Sequence, residues 1–203
     1  VIHLHPKKIY EGAEAELFII LKDEQKLILK KRKSKNYREK LLDQKILKQR
    51  TRKETKMLQK IPTLGLLTPT LIETNIEDYS IIMTYLEFPS LKKSIEKDSK
   101  NIEYLGKDLA KLHNNNIIHG DITLENILFD NTTKRPAFID FGLSFESTKL
   151  EDITTDLYVF KKTLLAEFPE TLWQLFLEQY LKYSKHKNLL AYLGKIEKRR
   201  RNA

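Results

Sequence analysis

The sequence predicts an α+β fold in which strands come first and helices follow. Two observations carry that reading. Strand-like apolar runs crowd the stretch before Pro89. Beyond it, apolar residues mostly recur at spacings of three and four. A chain of 203 residues has room for a real core, either as one domain or as a compact two-part unit.

The elements follow in order. Residues 17–21, Leu-Phe-Ile-Ile-Leu, read as a strand, and 26–30, Lys-Leu-Ile-Leu-Lys, as a second. The polar turn 22–25 between them makes a hairpin. From about Arg38 to Lys60 the pattern is helical, with Leu42, Ile46, Leu47, Met57 and Leu58 available to an apolar face. Pro62, Gly65 and Pro69 are expected to break it. Residues 79–85 form another strand. Ile102, Leu105, Leu109 and Leu112 mark an amphipathic helix that ends at Asn114-Asn115-Asn116. Residues 127–129 and 137–139 are short strands around a polar turn. The region from about Thr155 to Arg201 is expected to be mostly helical, with Trp173, Leu175, Phe176 and Leu177 in its middle.

Composition narrows the function classes. There is no cysteine, which excludes disulfides, thiolate catalysis and zinc–cysteine sites. No apolar run approaches the roughly 20 residues of a membrane span, so no membrane partner is expected. The start lacks a signal-peptide pattern, and Val1 in place of Met is what a trimmed or excised chain would show. A formal charge of +9 suits a polyanionic partner such as RNA, or ordinary solvated lysines.

The chemistry lies in two polar breaks. Residues 117–128, Ile-Ile-His-Gly-Asp-Ile-Thr-Leu-Glu-Asn-Ile-Leu, are followed by 138–142, Phe-Ile-Asp-Phe-Gly. Together they offer Asp121, Asn126 and Asp140. Phosphoryl transfer from ATP needs one carboxylate to orient or deprotonate the attacking group. It also needs a second carboxylate and an amide to hold magnesium against the phosphates. The pattern is that of protein kinases, H-R-D-x-x-x-x-N then D-F-G, with Gly120 in place of the usual Arg. Asp121 is therefore the candidate catalytic residue, and Asn126 and Asp140 the candidate metal ligands.

Lys30, closing the second strand, is the candidate phosphate-holding cation, although Lys31, Arg32, Lys33 and Lys35 crowd the same stretch. Glu54 on the following helix is its expected partner, with Glu39 competing. The phosphate-covering loop is reduced. Where kinases carry G-x-G-x-x-G, this chain has Glu11-Gly12-Ala13-Glu14-Ala15, so Gly12 alone allows a close backbone approach. The nearby carboxylates would repel ATP unless they face away or act as a gate. His119 is expected to brace the catalytic loop without proton chemistry. With Arg absent at 120 and no A-P-E after Gly142, phosphate-driven ordering and peptide docking by the usual segment are not expected. Asp156 either caps a helix or ties back to the catalytic loop. The tail from Lys195 to Arg201 either touches phosphates or is a solvated helix end.

With these residues assembled, the chain resembles the small atypical kinase/ATPase of the KEOPS (EKC) complex over nearly its whole length. The resemblance rests on Gly12-Ala13-Glu14-Ala15, the basic run 30–38, Leu42-Asp43, Arg50-Thr51 before Glu54, and His119-Gly120-Asp121-Ile122-Thr123. It continues through Asp140-Phe141-Gly142-Leu143-Ser144, Glu151-Asp152, Asp156-Leu157-Tyr158-Val159 and the basic tail. RIO kinases share only the sparse catalytic residues. Leu124-Glu125 departs from the small hydroxyl residues common in the family, and the tail lacks its usual glycine.

The resemblance implies a minimal two-lobed kinase-like fold, with a β-rich N-lobe over residues 1–87 and a helical C-lobe over 88–203. It implies use of ATP with Mg2+, with Met83, Thr84 and Leu86 as the hinge against ATP. It further implies an atypical serine/threonine protein kinase/ATPase that partners a threonylcarbamoyl-transferase subunit and other KEOPS subunits. That assembly modifies the adenosine beside the tRNA anticodon, so tRNA is reached through the complex, in the cytoplasm and, in a eukaryote, the nucleus. The rival reading is a pseudokinase-like scaffold that binds ATP without turnover, and the complete polar set argues against it.

Overall fold

The structure is a computed structural model that describes residues 3–186 and 188–201. Val1 lies outside these. The first part is a five-stranded antiparallel sheet in the order β1-β2-β3-β5-β4. β1 (His3–Glu11) was not anticipated from the sequence, because it is polar and interrupted by Pro6. As an edge strand it tolerates proline, and its pairing with the next strand is irregular. β2 (Ala15–Lys22) and β3 (Gln25–Arg32) form the expected hairpin. The turn between them holds Asp23 and Glu24 at φ 49° and 65°, the left-handed pair that twists a two-residue hairpin correctly.

α1 (Lys40–Thr63) lies across this sheet. Its buried residues Leu47, Thr51, Glu54, Leu58 and Ile61 repeat at spacings of four and three, which makes one face. Leu42 is half-exposed and Ile46 only partly buried, so the apolar face starts later than the sequence suggested. Pro62 does not break the helix. It sits in the last turn, and the stop falls at Gly65, at φ +69°. β4 (Leu71–Asn75), a short edge strand not foreseen, and β5 (Ser80–Thr84) complete the sheet.

The remainder is mainly helical. α2 (Leu91–Lys97) is a short helix missed in the sequence reading, and α3 (Asn101–Asn114) is the expected amphipathic one. Between helices stand two small ribbons. β6 (Ile117–Ile118) pairs with β9 (Phe145–Glu146), and β7 (Ile127–Asp130) pairs with β8 (Arg135–Phe138). These ribbons hold the two polar breaks at their ends. α4 (Leu150–Leu165), α5 (Glu170–Tyr183) and α6 (Leu189–Arg201) follow. The final helical region therefore starts at Leu150 rather than Thr155.

One apolar cluster runs through both parts. It links Ile28, Met57 and Ile81 of the first to Leu105, Phe129, Phe138, Phe160 and Phe176 of the second. Backbone bridges Leu67↔Ala137 and Ser90↔Leu128 tie the connecting stretch to the β7/β8 ribbon. The polar breaks thus sit on a rigid floor, beneath the sheet that carries Lys30.

Candidate active site

The stretch after β6 is fixed from behind by Asp156 of α4. Its carboxylate is buried, and it accepts hydrogen bonds from the backbone N–H of His119 and of Gly120, each at 2.9 Å. It also accepts from His113 Nε2–H at 3.1 Å, which leaves His113 Nδ1 to accept from the Tyr180 hydroxyl at 2.7 Å. Burial opposes ionisation of Asp156, but the His113 hydrogen bond and the charges and donors around it hold its pKa below the ordinary carboxylate value. Of the two roles left open for Asp156, the tie to the catalytic stretch is the observed one. His113 was missed, although a histidine four residues past Leu109 on the apolar face of α3 is the signal that could have found it.

Gly120 has a backbone reason to be glycine. Its φ is +80°, and a Cβ there would stand 2.5 Å from the Leu143 carbonyl oxygen. His119 is buried and bridges the two breaks. Its Nε2–H donates to the Ile139 carbonyl at 3.1 Å, and its Nδ1 accepts from the Asp121 N–H at 3.3 Å. Burial pushes its pKa down, so the imidazole is neutral, as both contacts require.

Asp121 and Asn126 are joined directly. The Asn126 amide nitrogen donates to the Asp121 carbonyl at 2.8 Å and to its carboxylate at 2.9 Å. Both partners are acceptors, so the nitrogen must face them and Oδ1 takes no part in that contact. The Ile139 N–H donates to the Asn126 carbonyl at 3.0 Å, which sets Asn126 beside the residue preceding Asp140. Asp140 takes φ +61° and is partly exposed. Burial of its carboxylate opposes ionisation, but the Lys30 ammonium at 2.8 Å, with Arg32 and the Gly142 N–H, holds its pKa down at about 2. Among the described residues no three His, Cys, Asp or Glu side chains form a metal cage. A carboxylate and an amide are instead the sparse donor set that suits Mg2+ shared with phosphates.

Lys30 reaches Glu54 at 2.9 Å, and the two are 4% and 0% exposed. Both side chains are therefore packed inside the molecule. Glu39, the rival partner, precedes α1 and is exposed. The second Glu54 oxygen is taken by Arg32, which is also buried and which the sequence reading left among the crowd of cations. Its guanidinium covers Gly142, where a Cβ would stand 2.6 Å from Nη2. Residues two apart on a strand share a face, and that signal alone could have placed Arg32 beside Lys30.

Gly12 sits in the tight turn between β1 and β2, where its N–H donates to the Ala15 carbonyl at 3.0 Å. The carboxylates of this turn do not point a free charge at the cleft. Glu11 pairs with Lys8 and Lys33, and Glu14 with Arg50 and Lys35. The Lys33 and Lys8 hydrogen bonds lower the Glu11 pKa to about 2. Of the hinge residues, Met83 is buried opposite Ile28 and Leu86 is partly buried. The Thr84 hydroxyl and N–H both engage Thr70, at 2.9 Å each. Only residues 143–149 separate Gly142 from α4.

The basic run 30–38 is largely consumed inside the molecule. Besides Lys30 and Arg32, Lys33 and Lys35 hold the turn, and Arg38 pairs with Asp43 at 3.3 Å. In the tail, Arg199 reaches Glu151 at 3.1 Å, and the side chains of Arg200 and Arg201 lie outside the described residues. α1 is different. Its two acids, Asp43 and Glu54, are buried, while Lys45, Lys48, Arg52, Lys53 and Lys56 line an open groove on its outer side. No helix among the described residues is long and apolar enough to cross a membrane.

Comparison with known proteins agrees with the kinase-like fold. The protein kinase domain family matches residues 5–196. A probable bifunctional tRNA threonylcarbamoyladenosine biosynthesis protein of Methanosphaera stadtmanae is 38% identical over 97% of this chain, which spans 37% of that relative's length. The EKC/KEOPS complex subunit bud32 of Dictyostelium discoideum is 33% identical, over 95% of this chain and 82% of that protein. Among solved structures, the Rio2 kinase from Chaetomium thermophilum superposes with a TM-score of 0.66 at 14% identity, over 95% of this chain and 71% of that one.

Proposed function

The chain belongs to the protein kinase domain family and, within it, to the Bud32 group, and from that premise we propose that it is a magnesium- and ATP-dependent atypical serine/threonine kinase/ATPase of a KEOPS assembly. The observation that carries the reading is the convergence of Asp121, Asn126, Asp140, Lys30 and Glu54 through the contacts described above. In this proposal the cleft lies between an N-lobe, residues 1–87, and a C-lobe, residues 88–203.

Bound Mg2+ and ATP would supply the transferable phosphoryl group and the charge that stabilises its departure. The residues of this chain do the rest. Asp140 and the Asn126 amide oxygen would hold the metal. Lys30 would hold phosphate oxygens, fixed by Glu54, and Gly12 would let the β1–β2 turn approach them. Met83, Thr84 and Leu86 stand where the far end of the nucleotide would lie. Asn126 occupies one Asp121 carboxylate oxygen and leaves the other to orient a hydroxyl or a water.

The wider role is support of threonylcarbamoyladenosine formation on tRNA, with a threonylcarbamoyl-transferase subunit and the other KEOPS subunits as partners. The cytoplasm, and in a eukaryote also the nucleus, is its place. The short stretch after Gly142 favours an ATPase that serves this assembly over a peptide-docking signalling kinase. The deciding experiment is ATP hydrolysis by the chain with its transferase partner, with and without Asp121→Ala. Loss of turnover with ATP binding retained supports the enzyme. No turnover in either leaves the scaffold reading in its place, and equal turnover in both removes Asp121 from the chemistry.

A further inference from the structure

We propose that Arg32 is a second phosphate-holding residue of the cleft, doing the work that the missing loop glycines do elsewhere; this rests on the ATP reading above. The kinase loop G-x-G-x-x-G offers backbone N–H groups to phosphates. This chain has one glycine there, and its N–H is committed to the Ala15 carbonyl. The turn therefore offers phosphates no free glycine N–H, and a cation nearby is a chemical supplement.

Arg32 is placed for that task. It shares a face of β3 with Lys30, two residues away, so both cations enter the cleft from the same strand. It pairs across the ladder with Ala15, at the end of the Gly12 turn, and the Lys33 N–H bonds the Glu14 carbonyl at 3.0 Å. Its guanidinium meets Glu54 on one side and Gly142 on the other. The strand that leaves the Gly12 turn, α1 and the loop after Asp140 thus all meet at this one residue. Its Nε–H is the one buried side-chain polar atom without a hydrogen-bond partner among the described residues. A buried donor left unpaired is costly unless a ligand completes it. Guanidinium donors fit phosphate oxygens, and a lysine at this position would lack the planar fork.

The rival is a purely structural brace between α1 and the Asp140 loop. The two differ in what they do to ligands that lack phosphate. Calorimetric affinities for Mg-ATP and for adenosine would be measured with the wild type, Arg32→Gln, Arg32→Lys and Lys30→Ala, alongside thermal melts. The expected result is a loss of about tenfold or more in ATP affinity for Arg32→Gln, a smaller loss for Arg32→Lys, and unchanged adenosine affinity in both. Unchanged ATP affinity, or equal loss for ATP and adenosine, overturns the proposal. Should Arg32→Gln not fold, Arg32→Lys decides by the same comparison. Lys30→Ala separates the two levels. If ATP affinity survives in that variant, the ATP reading of the cleft fails; if it falls while the Arg32 variants match wild type, only the present inference fails.

Discussion

The carboxylate of Asp156 holds the backbone N–H of Gly120 at 2.9 Å, so a residue in the middle of α4 fixes the turn that presents Asp121. The same carboxylate binds His119 N–H and His113, so the whole turn depends on one buried charge. Asp156→Asn preserves shape and removes that charge. It should destabilise the chain by about 2–4 kcal/mol, as broken buried networks do, and lower turnover per folded molecule by displacing Asp121. Urea denaturation and turnover of the folded fraction would measure both. A variant as stable and active as wild type would show that the tie is dispensable.

The same network sets a pH dependence. His119 has a folded pKa below its unfolded value of about 6.5, so the unfolded chain binds that proton more readily. Its contribution to stability is present above that pH and declines as pH falls below it. Asp156 is also lowered, from an unfolded value of about 3.9, and Asp140 likewise, to about 2. Their contributions are lost on further acidification, through the range below about pH 4. Stability should therefore fall in two stages as acid is added, and His119→Gln should shrink the upper one to the share of His186, whose pKa burial also lowers. A flat profile from pH 7 to 4.5 in the wild type would contradict this.

Asp140 serves both Lys30 and, in the proposed chemistry, the metal. Asp140→Ala should abolish magnesium-dependent ATP turnover, by about a hundredfold or more, because electrostatic stabilisation is the main lever in phosphoryl transfer. Lys30 keeps Glu54 in that variant, so ATP binding without magnesium should persist. Titration with and without Mg2+ distinguishes the two effects. Full activity would end the assignment.

The hairpin, α1 and α3 were readable because each repeats its pattern over many residues. β1, β4 and α2 were not, because an edge strand need not alternate cleanly and short elements carry too little period. The site shows the same division. Asp121, Asn126 and Asp140 stand in a spaced motif. Arg32 looked like any other cation in a basic run, and only the fold shows that Glu54 receives it as well as Lys30. Asp156 could be either a cap or a tie on sequence grounds, since the distance from α4 to β6 is a tertiary fact.

Gly120 bears on regulation. Its positive φ and the Leu143 carbonyl leave no place for a side chain, so Gly120→Arg should destabilise by about 1–3 kcal/mol and gain no response to phosphorylation. Activity should depend on the transferase partner instead. Phosphatase-treated chain, assayed alone and with that partner, tests this. Silencing by phosphatase with no effect of the partner would refute it.

The basic charge should act through α1 rather than through the run 30–38. Most of that run is engaged by Glu54, Glu11, Glu14 and Asp43, and Lys31 alone of its cations is exposed. On α1, Lys45, Arg52 and Lys53 have no acidic partner among the described residues and face one groove with Lys48 and Lys56. Phosphate contacts release counter-ions, so tRNA binding by the assembled complex should weaken steeply with salt and show little sequence preference. Replacing Lys45, Arg52 and Lys53 with Ala should lower tRNA affinity and flatten the log–log salt slope by about two to three, at about 0.9 per lost contact. Arg38→Ala should change neither. The tail variant Arg199→Ala, Arg200→Ala, Arg201→Ala should lower affinity less than the α1 variant, because Arg199 is already engaged by Glu151. Nucleotide binding by the isolated chain should be untouched in the α1 variant, since these cations line a separate groove that includes neither Lys30 nor Glu54. An unchanged salt slope would make the α1 cations a solvated surface. Capture of an acidic protein by the same groove, lost in the triple variant, would assign it to a protein partner instead of RNA.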